Sequence, residues 1–517
     1  MGGGKMGAAY DIAIVGGGVS GAYAADRLSR ERPGARIALF EASERLGGRL
    51  WSVELPEVPG VIAELGGTNF SAQQPLVTGL VDALGLAKTE VDAGVWLSYL
   101  RDHRLVEADF ADADKVPYFV TPEEAGQNPY ALLMAALFDA LPGLQDHLPV
   151  TAETLDALIA YLRTATVDGR PLHSLGFANM LSARLSPEAF ALVRDNTGHP
   201  TAVANGNAYN MTLHLLVSSA GPFYVLDAGF QSLVEALAAR AHDAGCTVRK
   251  GHRLTSLRFA GADDGVALTF ATAHGPETIE AAQVICALPP AALSGIRLTD
   301  ADATPRTWPV DLDKVVGLPA AKTFLVYPEP WWQDLPGGPG QITRSAMTIS
   351  NTNLPLCACY YWGAADYGDS GPALLLGAYA DGDCVDFWSG MMPPDAAPCA
   401  GMDPAEAPRQ APAALTARLN EQLSEMHAAD LPAPRYGVFQ NWANAPFGGG
   451  YHSWTPFVRS WDLSAALRQP LADRPLYLCG EAYADLQGWV EGALMDTETL
   501  LATAFAGQPK GSQDAAA

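Results

Sequence analysis

Apolar and polar positions follow two periods along this chain, and the changes between them mark its elements. Residues 11–15 (DIAIV) form a short apolar run that stops at glycines, and AYAADRLSR after it spaces apolar side chains three and four apart. That pattern predicts a strand, a turn and a helix. Pro33-Gly34 ends the helix and ARIALFE supplies a second strand, so the N-terminus reads as a β-α-β unit. Farther on, 228–244 carries Leu233, Val234, Leu237 and Ala241 on one helical face and leads into the strand-like TVRKGHRLTSLRF. GVALTFAT and GPETIEAAQVIC follow as a strand pair, with His274-Gly275 as the turn. Between these blocks 76–220 reads as helical, because PLVTGLVDALGL, NPYALLMAALFDAL and TAETLDALIAYLRTA repeat apolar residues at helical spacing. From 311 to 390 the pattern turns to β-rich aromatic runs such as KTFLVYPEPWW and CACYYWG, and the proline-rich 392–412 reads as an exposed loop.

Composition narrows the picture. The 517 residues are 49% hydrophobic, enough for a large core divided over two or three domains. A formal charge of −25 repels nucleic-acid phosphates and anionic membrane surfaces, so neither is an expected partner. The seven cysteines are odd in number, lack a CxxC pair and sit in apolar runs, which fits buried free thiols in a reducing compartment. Cys357 and Cys359 are expected on one face of a strand, as packing residues, and no metal site is expected. No window approaches the ~20 apolar residues of a membrane span, and the start lacks the layout of a secretion signal. A cytoplasmic location is therefore expected. Disorder is expected through about Ala9 and from about Gln508.

Gly16-Gly17-Gly18-Val19-Ser20-Gly21 fits GxGxxG between the first strand and its helix. Gly16 permits the tight turn, Gly18 lets the backbone approach a pyrophosphate, and Gly21 lets helix pack on strand. Glu41 ends the second strand about 20 residues on, where a carboxylate accepts hydrogen bonds from an adenosine ribose. NAD and FAD share this fingerprint. Glu41-Ala42-Ser-Glu-Arg45-Leu-Gly47-Gly48-Arg49 adds a second glycine approach flanked by cations. This stretch resembles the N-terminal signature of the flavin-containing amine oxidase family, closest to bacterial FAD-dependent L-amino acid oxidases. Further segments share the likeness: Glu64-Leu-Gly66-Gly67-Thr68, the Gly229 helix start before Val248, Leu478-Cys-Gly480-Glu481, and Gln487-Gly488-Trp489-Val490-Glu491.

The resemblance implies an α/β fold, with a discontinuous Rossmann-like FAD-binding domain (1–75, 225–310 and 440–517) and a mixed α+β substrate-binding domain (76–224 and 311–439). The implied cofactor residues are Gly16, Gly18, Ser20, Gly21, Glu41, Ala42, Arg45, Gly48, Arg49, Gly66, Gly67, Thr68, Val248, Gly480, Glu481, Gly488, Trp489 and Val490. FAD is expected to bind non-covalently, since 484–487 (ADLQ), where the covalent relatives are expected to carry their cysteine, has none. The implied reaction oxidises an L-amino acid or related amine, with an aromatic or apolar side chain favoured. Oxygen is the acceptor, and a carbonyl compound, ammonia and hydrogen peroxide are the products. A homodimer is left open.

Lys322 lies in an apolar run, where an ammonium is costly to desolvate. The resemblance assigns it to flavin reoxidation through a water at N5; the alternative is a strand-edge lysine reaching solvent. Trp489, Tyr451, Trp454, Tyr361 and Trp362 are candidate substrate walls, although aromatics also serve as core. His452 is a candidate proton acceptor or a structural histidine. One departure stands out. Where those oxidases continue with Met-Arg-Phe, whose arginine holds the substrate carboxylate, this chain has Thr68-Asn69-Phe70, and an amide offers neither charge nor a bidentate fork. A substrate lacking a free carboxylate is thus the alternative. A non-catalytic flavin-fold protein is the remote one.

Overall fold

The expected β-α-β unit forms as β1 (Tyr10–Val15), α1 (Val19–Glu31) and β2 (Ile37–Phe40) in the computed structural model. The model describes residues 9–218, 221–260, 265–308 and 310–506; the ends expected to be disordered lie outside them. Strands Thr247–Arg249, β2, β1, Gly275–Cys286 and Leu476–Leu478 run parallel in a nine-stranded sheet. Val266–Thr272 and Arg253–Phe259 continue it antiparallel. Alternation along β1 explains its uninterrupted apolar run. Ile12 and Ile14 pack with α1 and helix Gln231–Asp243, whereas Ala13 and Val15 pack with the antiparallel strands on the other face.

One ion cluster ties the two helices together. Asp26 of α1 is fully buried and binds Arg240 at 2.7 and 2.8 Å and Arg30 at 3.0 and 2.8 Å. Burial opposes ionisation, yet both arginines together hold its carboxyl below the usual 3.8. Asp26→Ala strands these guanidinium groups and should lower the unfolding free energy by about 3 kcal/mol in urea titrations. A depressed folded-state pKa stabilises above the unfolded value, so this loss should shrink as pH falls below about 4.

A ten-stranded second sheet follows the order Arg409–Gln410, Tyr436–Asn441, Ala320–Tyr327, Ala373–Asp381, Ala358–Ala364, Ala346–Thr352, Lys88–Leu100, Phe223–Leu226 and Phe70–Ser71, with His103–Leu105 paired to Lys88–Leu100 as the tenth strand. Lys88–Leu100 corrects the helical reading of 76–220: it is a 13-residue strand, stabilised by pairing with Ala346–Thr352, distant in sequence. The rest of that block is mainly helical, with the short strands His103–Leu105, Thr166–Val167 and Arg170–Pro171, and its helices enclose a core of their own. The proline-rich 392–412 is a largely exposed loop, as expected, anchored by the buried Ala396 and by Cys399, which packs with Leu55, Val58, Phe324 and Val438. Cys357 sits in a turn at φ +59°, one residue before the strand that carries Cys359, so the two do not share a strand face. All seven cysteines are free, and all but Cys384 are buried. Among the described residues no helix is long and apolar enough to cross a membrane, and no cluster suits a metal ion.

Candidate active site

Close backbone approach builds the first half of the site. Gly16 turns at φ +108°, where a Cβ would lie 2.5 Å from the Ala287 carbonyl oxygen; a Cβ on Gly21 would collide with the Gly16 carbonyl. Gly18 is different. Its backbone is extended, and an added Cβ would meet nothing nearer than Gly48 Cα at 3.9 Å. Gly48, at φ +60°, faces it across this gap. Glu41 closes the turn by accepting from Gly17 N at 2.7 Å and from Ser43 N and Oγ at 2.8 and 2.9 Å. Ala42 follows, exposed, and Val248 pairs with Leu39 beside it on the outer parallel strand.

The two arginines part company. Arg45 lies over the Trp51 ring at 4.5 Å and donates to the carbonyls of Leu46, Gly48 and Leu50, so it shapes the loop. Arg49 reaches inward to Glu481 at 2.8 Å and to the Gly450 carbonyl. Glu481 also accepts from His452 N and Nδ1 and from Gly488 N, and these positive partners hold its carboxyl far below the usual range despite full burial. His452 thus belongs to this ion cluster. Gly480 N donates to Asp496, and Ser20 Oγ to the Ala493 carbonyl, joining α1 to helix Val490–Leu500. Glu491 caps helix Pro75–Ala83 through Leu76 N and Val77 N.

Lys322 occupies the middle of the second sheet. Strands pair with Ala320–Tyr327 on both sides, which rules out an edge lysine reaching solvent. Its 1%-exposed ammonium donates to the Glu64 and Gly66 carbonyls at 2.9 and 2.6 Å and to Thr68 Oγ1 at 2.7 Å, using all three protons. Gly66 packs directly on the preceding loop, since a Cβ there would strike the Arg49 carbonyl. Burial draws the Lys322 pKa down to about 7, opposed by the Glu64 charge, and burial lifts Glu64 to about 7.

Rings gather around this lysine. Tyr379 lies 4.6 Å from Nζ and edge-on to His199 at 4.5 Å. His199 Nε2 hydrogen-bonds the Tyr360 hydroxyl at 3.3 Å. Tyr451 stacks on His214 at 5.9 Å and 7°, and Trp489 lies 6.2 Å from His214, its indole N–H unpaired. Tyr360 also borders a small cleft of about 60 Å³, lined by Thr68, Met347, Trp362 and Arg344 among others. Asn69 donates to Met347 Sδ at 3.5 Å.

Two expected wall residues are placed otherwise. Trp454 is fully buried, its indole donating to the Ala484 carbonyl, because it faces away from Tyr451 on strand Tyr451–Trp454. Tyr361 borders the cleft, but its hydroxyl is bound by His427 and Ser350 in a core of tryptophans; its neighbours Tyr360 and Trp362 take the opposite face. Sequence reasoning missed Tyr360, Tyr379, His199, His214, Arg344 and Asp381. Asp381 carried a signal of the same kind as Lys322: a charge closing an apolar run.

A family model described as flavin containing amine oxidoreductase matches residues 19–497. The chain belongs to that family. It is 27% identical to Aplysianin-A of Aplysia kurodai over 96% of this chain and 90% of that protein. It is 26% identical to Achacin of Lissachatina fulica over 96% and 93%, and 23% identical to the flavin-dependent L-tryptophan oxidase RebO of Lentzea aerocolonigenes over 93% and 95%. A putrescine oxidase with a redesigned cofactor site shares the fold, with TM-score 0.62 at 19% identity over 95% of this chain and 98% of that one. Membership in the amine oxidoreductase family makes the chain a flavin-dependent oxidoreductase of amines or amino acids. The residues present fit a flavin: Gly18 presents bare backbone with no side chain crowding it, and Glu41 follows β2 with its carboxylate already oriented.

Proposed function

We propose that the chain is an FAD-dependent oxidase that deaminates an L-amino acid or a closely related amine. The reaction removes two hydrogens from R-CH-NH2 to give an imine and reduces oxygen to hydrogen peroxide; water then releases ammonia and the carbonyl product. The observation that carries this reading is Lys322, a buried ammonium held by three acceptors beside an aromatic site. The two-domain division given above is part of the same proposal. FAD accepts the hydride when bound. Gly16, Gly18, Gly21 and Glu41 would hold its adenosine and pyrophosphate end, and Glu481, Gly488 and Trp489 its other end. Non-covalent attachment is favoured because Cys479, the cysteine of the C-terminal segment, is fully buried.

Tyr451, Trp489 and His214 present ring faces that hold a neutral amine and exclude water. Burial pulls His214 below its usual 6.5, so it presents a neutral ring. The carboxylate-binding arginine missing at Asn69 has a substitute in Arg344, which lines the cleft with Thr68 while its Nη1 donates to the Asp227 carbonyl at 2.6 Å. Arg344→Met should raise KM for an L-amino acid about 10-fold or more and leave KM for the matching decarboxylated amine nearly unchanged. Equal shifts for both compounds would remove Arg344 from carboxylate recognition and favour a substrate without a free carboxylate. The overall reading is tested by a peroxide-coupled screen of the yellow protein against amino acids, their amides and simple amines. Failure of every amine to bleach the flavin anaerobically would refute it.

A further inference from the structure

Asp381 ends strand Ala373–Asp381 two residues beyond Tyr379 and is 1% exposed. A buried carboxylate is costly unless paired or well hydrogen-bonded. This one is neither. Its Oδ1 has no hydrogen-bond partner, and Oδ2 reaches only loose contacts, the Tyr451 hydroxyl at 3.4 Å and His199 Nδ1 at 3.6 Å. Lys322 does not serve it, because all three of its protons are committed to Glu64, Gly66 and Thr68. The surroundings suit a cation: Tyr379, Tyr451 and His199 present rings there, and Thr201 hydrogen-bonds the Tyr451 hydroxyl.

We propose that Asp381, with Tyr379, Tyr451 and His199, forms a subsite for a second cationic nitrogen of the substrate, at the end remote from the carbon oxidised. The inference rests on the reading of the Tyr451 and Trp489 rings as the substrate site, and it redirects the side-chain expectation from apolar to basic. Tyr451 connects the two ends: its ring stacks on His214 toward Trp489, and its hydroxyl stands at Asp381. A short alkyl chain carrying two amino groups, as a basic L-amino acid or a diamine, would lie along it. A charge-assisted hydrogen bond to Oδ1 would supply the missing partner.

The test compares matched pairs on the FAD-loaded enzyme: L-lysine with L-norleucine, and 1,4-diaminobutane with butylamine. In the wild type kcat/KM should favour the cationic member of at least one pair by on the order of 100-fold. Preference in the first pair identifies a basic amino acid, and in the second a diamine. Asp381→Asn should collapse that ratio toward unity. Calorimetry with α-methylornithine, which has no Cα hydrogen to transfer, gives a reading independent of turnover: its Kd should rise by a similar factor in the variant. Should Asp381→Asn not fold, the wild-type ratios decide alone. Oxidation of norleucine or butylamine with no cationic preference overturns the subsite and leaves the oxidase reading standing. Absence of flavin reduction with every amine, by contrast, overturns the oxidase reading first.

Discussion

The Gly18→Val protein should fold and emerge from purification without colour. Gly18 is extended, at φ −78° and ψ −176°, so a branched residue suffers no conformational penalty there. The nearest heavy atoms to an added Cβ are Gly48 Cα and the Gly47 carbonyl oxygen at 3.9 and 4.0 Å. The added Cβ therefore fits without moving a protein atom, and the valine methyl groups beyond it would occupy space that a pyrophosphate must approach. At a free FAD concentration of about 100 Kd the wild type should gain about 2.7 kcal/mol of stability, read as a rise in Tm; the variant should gain none. Gly21→Ala is the contrasting case. Its Cβ would collide with the Gly16 carbonyl and push α1 off β1, so the fold itself should suffer. A yellow Gly18→Val protein, or equal damage from both substitutions, would disprove the cradle.

The Lys322→Met protein should bleach with substrate at close to the wild-type rate and regain its colour in air about 100-fold more slowly. Methionine fills the volume and deletes the charge. It also strands the carbonyls of Glu64 and Gly66, at about 1–3 kcal/mol for each buried group left unsatisfied, so Tm should fall as well. The two effects separate because a loosened site slows bleaching too, whereas loss of the ammonium slows only recolouring. Burial opposes the charged lysine and the Glu64 charge favours it, leaving its pKa at about 7. Protonated lysine is the active form in this reading. Recolouring in the wild type should slow as pH rises through about 7, and the variant's profile should be flat there. An unchanged recolouring rate, or a loss confined to bleaching, would exclude the role.

What could be read along the chain was whatever depends on neighbours in sequence. The period change across 11–40 specifies strand, turn and helix, and Gly21 sits where backbone meets backbone within that same unit. The Lys322 signal was equally local, a charge in an otherwise apolar strand. Lys88–Leu100 was missed because most of its pairing is with Ala346–Thr352 and Phe223–Leu226, both distant in sequence, and short apolar runs do not by themselves distinguish helix from strand. Tyr361 and Trp454 could not be sorted from Tyr360 and Tyr451 for a related reason. Strand alternation puts adjacent aromatics on opposite faces, and only the packing of sheet on helices decides which face meets the cleft. Arg344 precedes strand Ala346–Thr352 and Asp381 ends strand Ala373–Asp381, and the pairing register through Ala358–Ala364 sets them at opposite ends of the sheet, a placement that no local pattern reveals. The chain's own order thus determined the first turn of the nucleotide cradle, from Gly16 to Ser43, where the Gly21 approach and the Glu41 hydrogen bonds span a few tens of residues. The tertiary structure alone decided the substrate side, because its charges and rings converge through sheet register and long-range packing that no local pattern encodes.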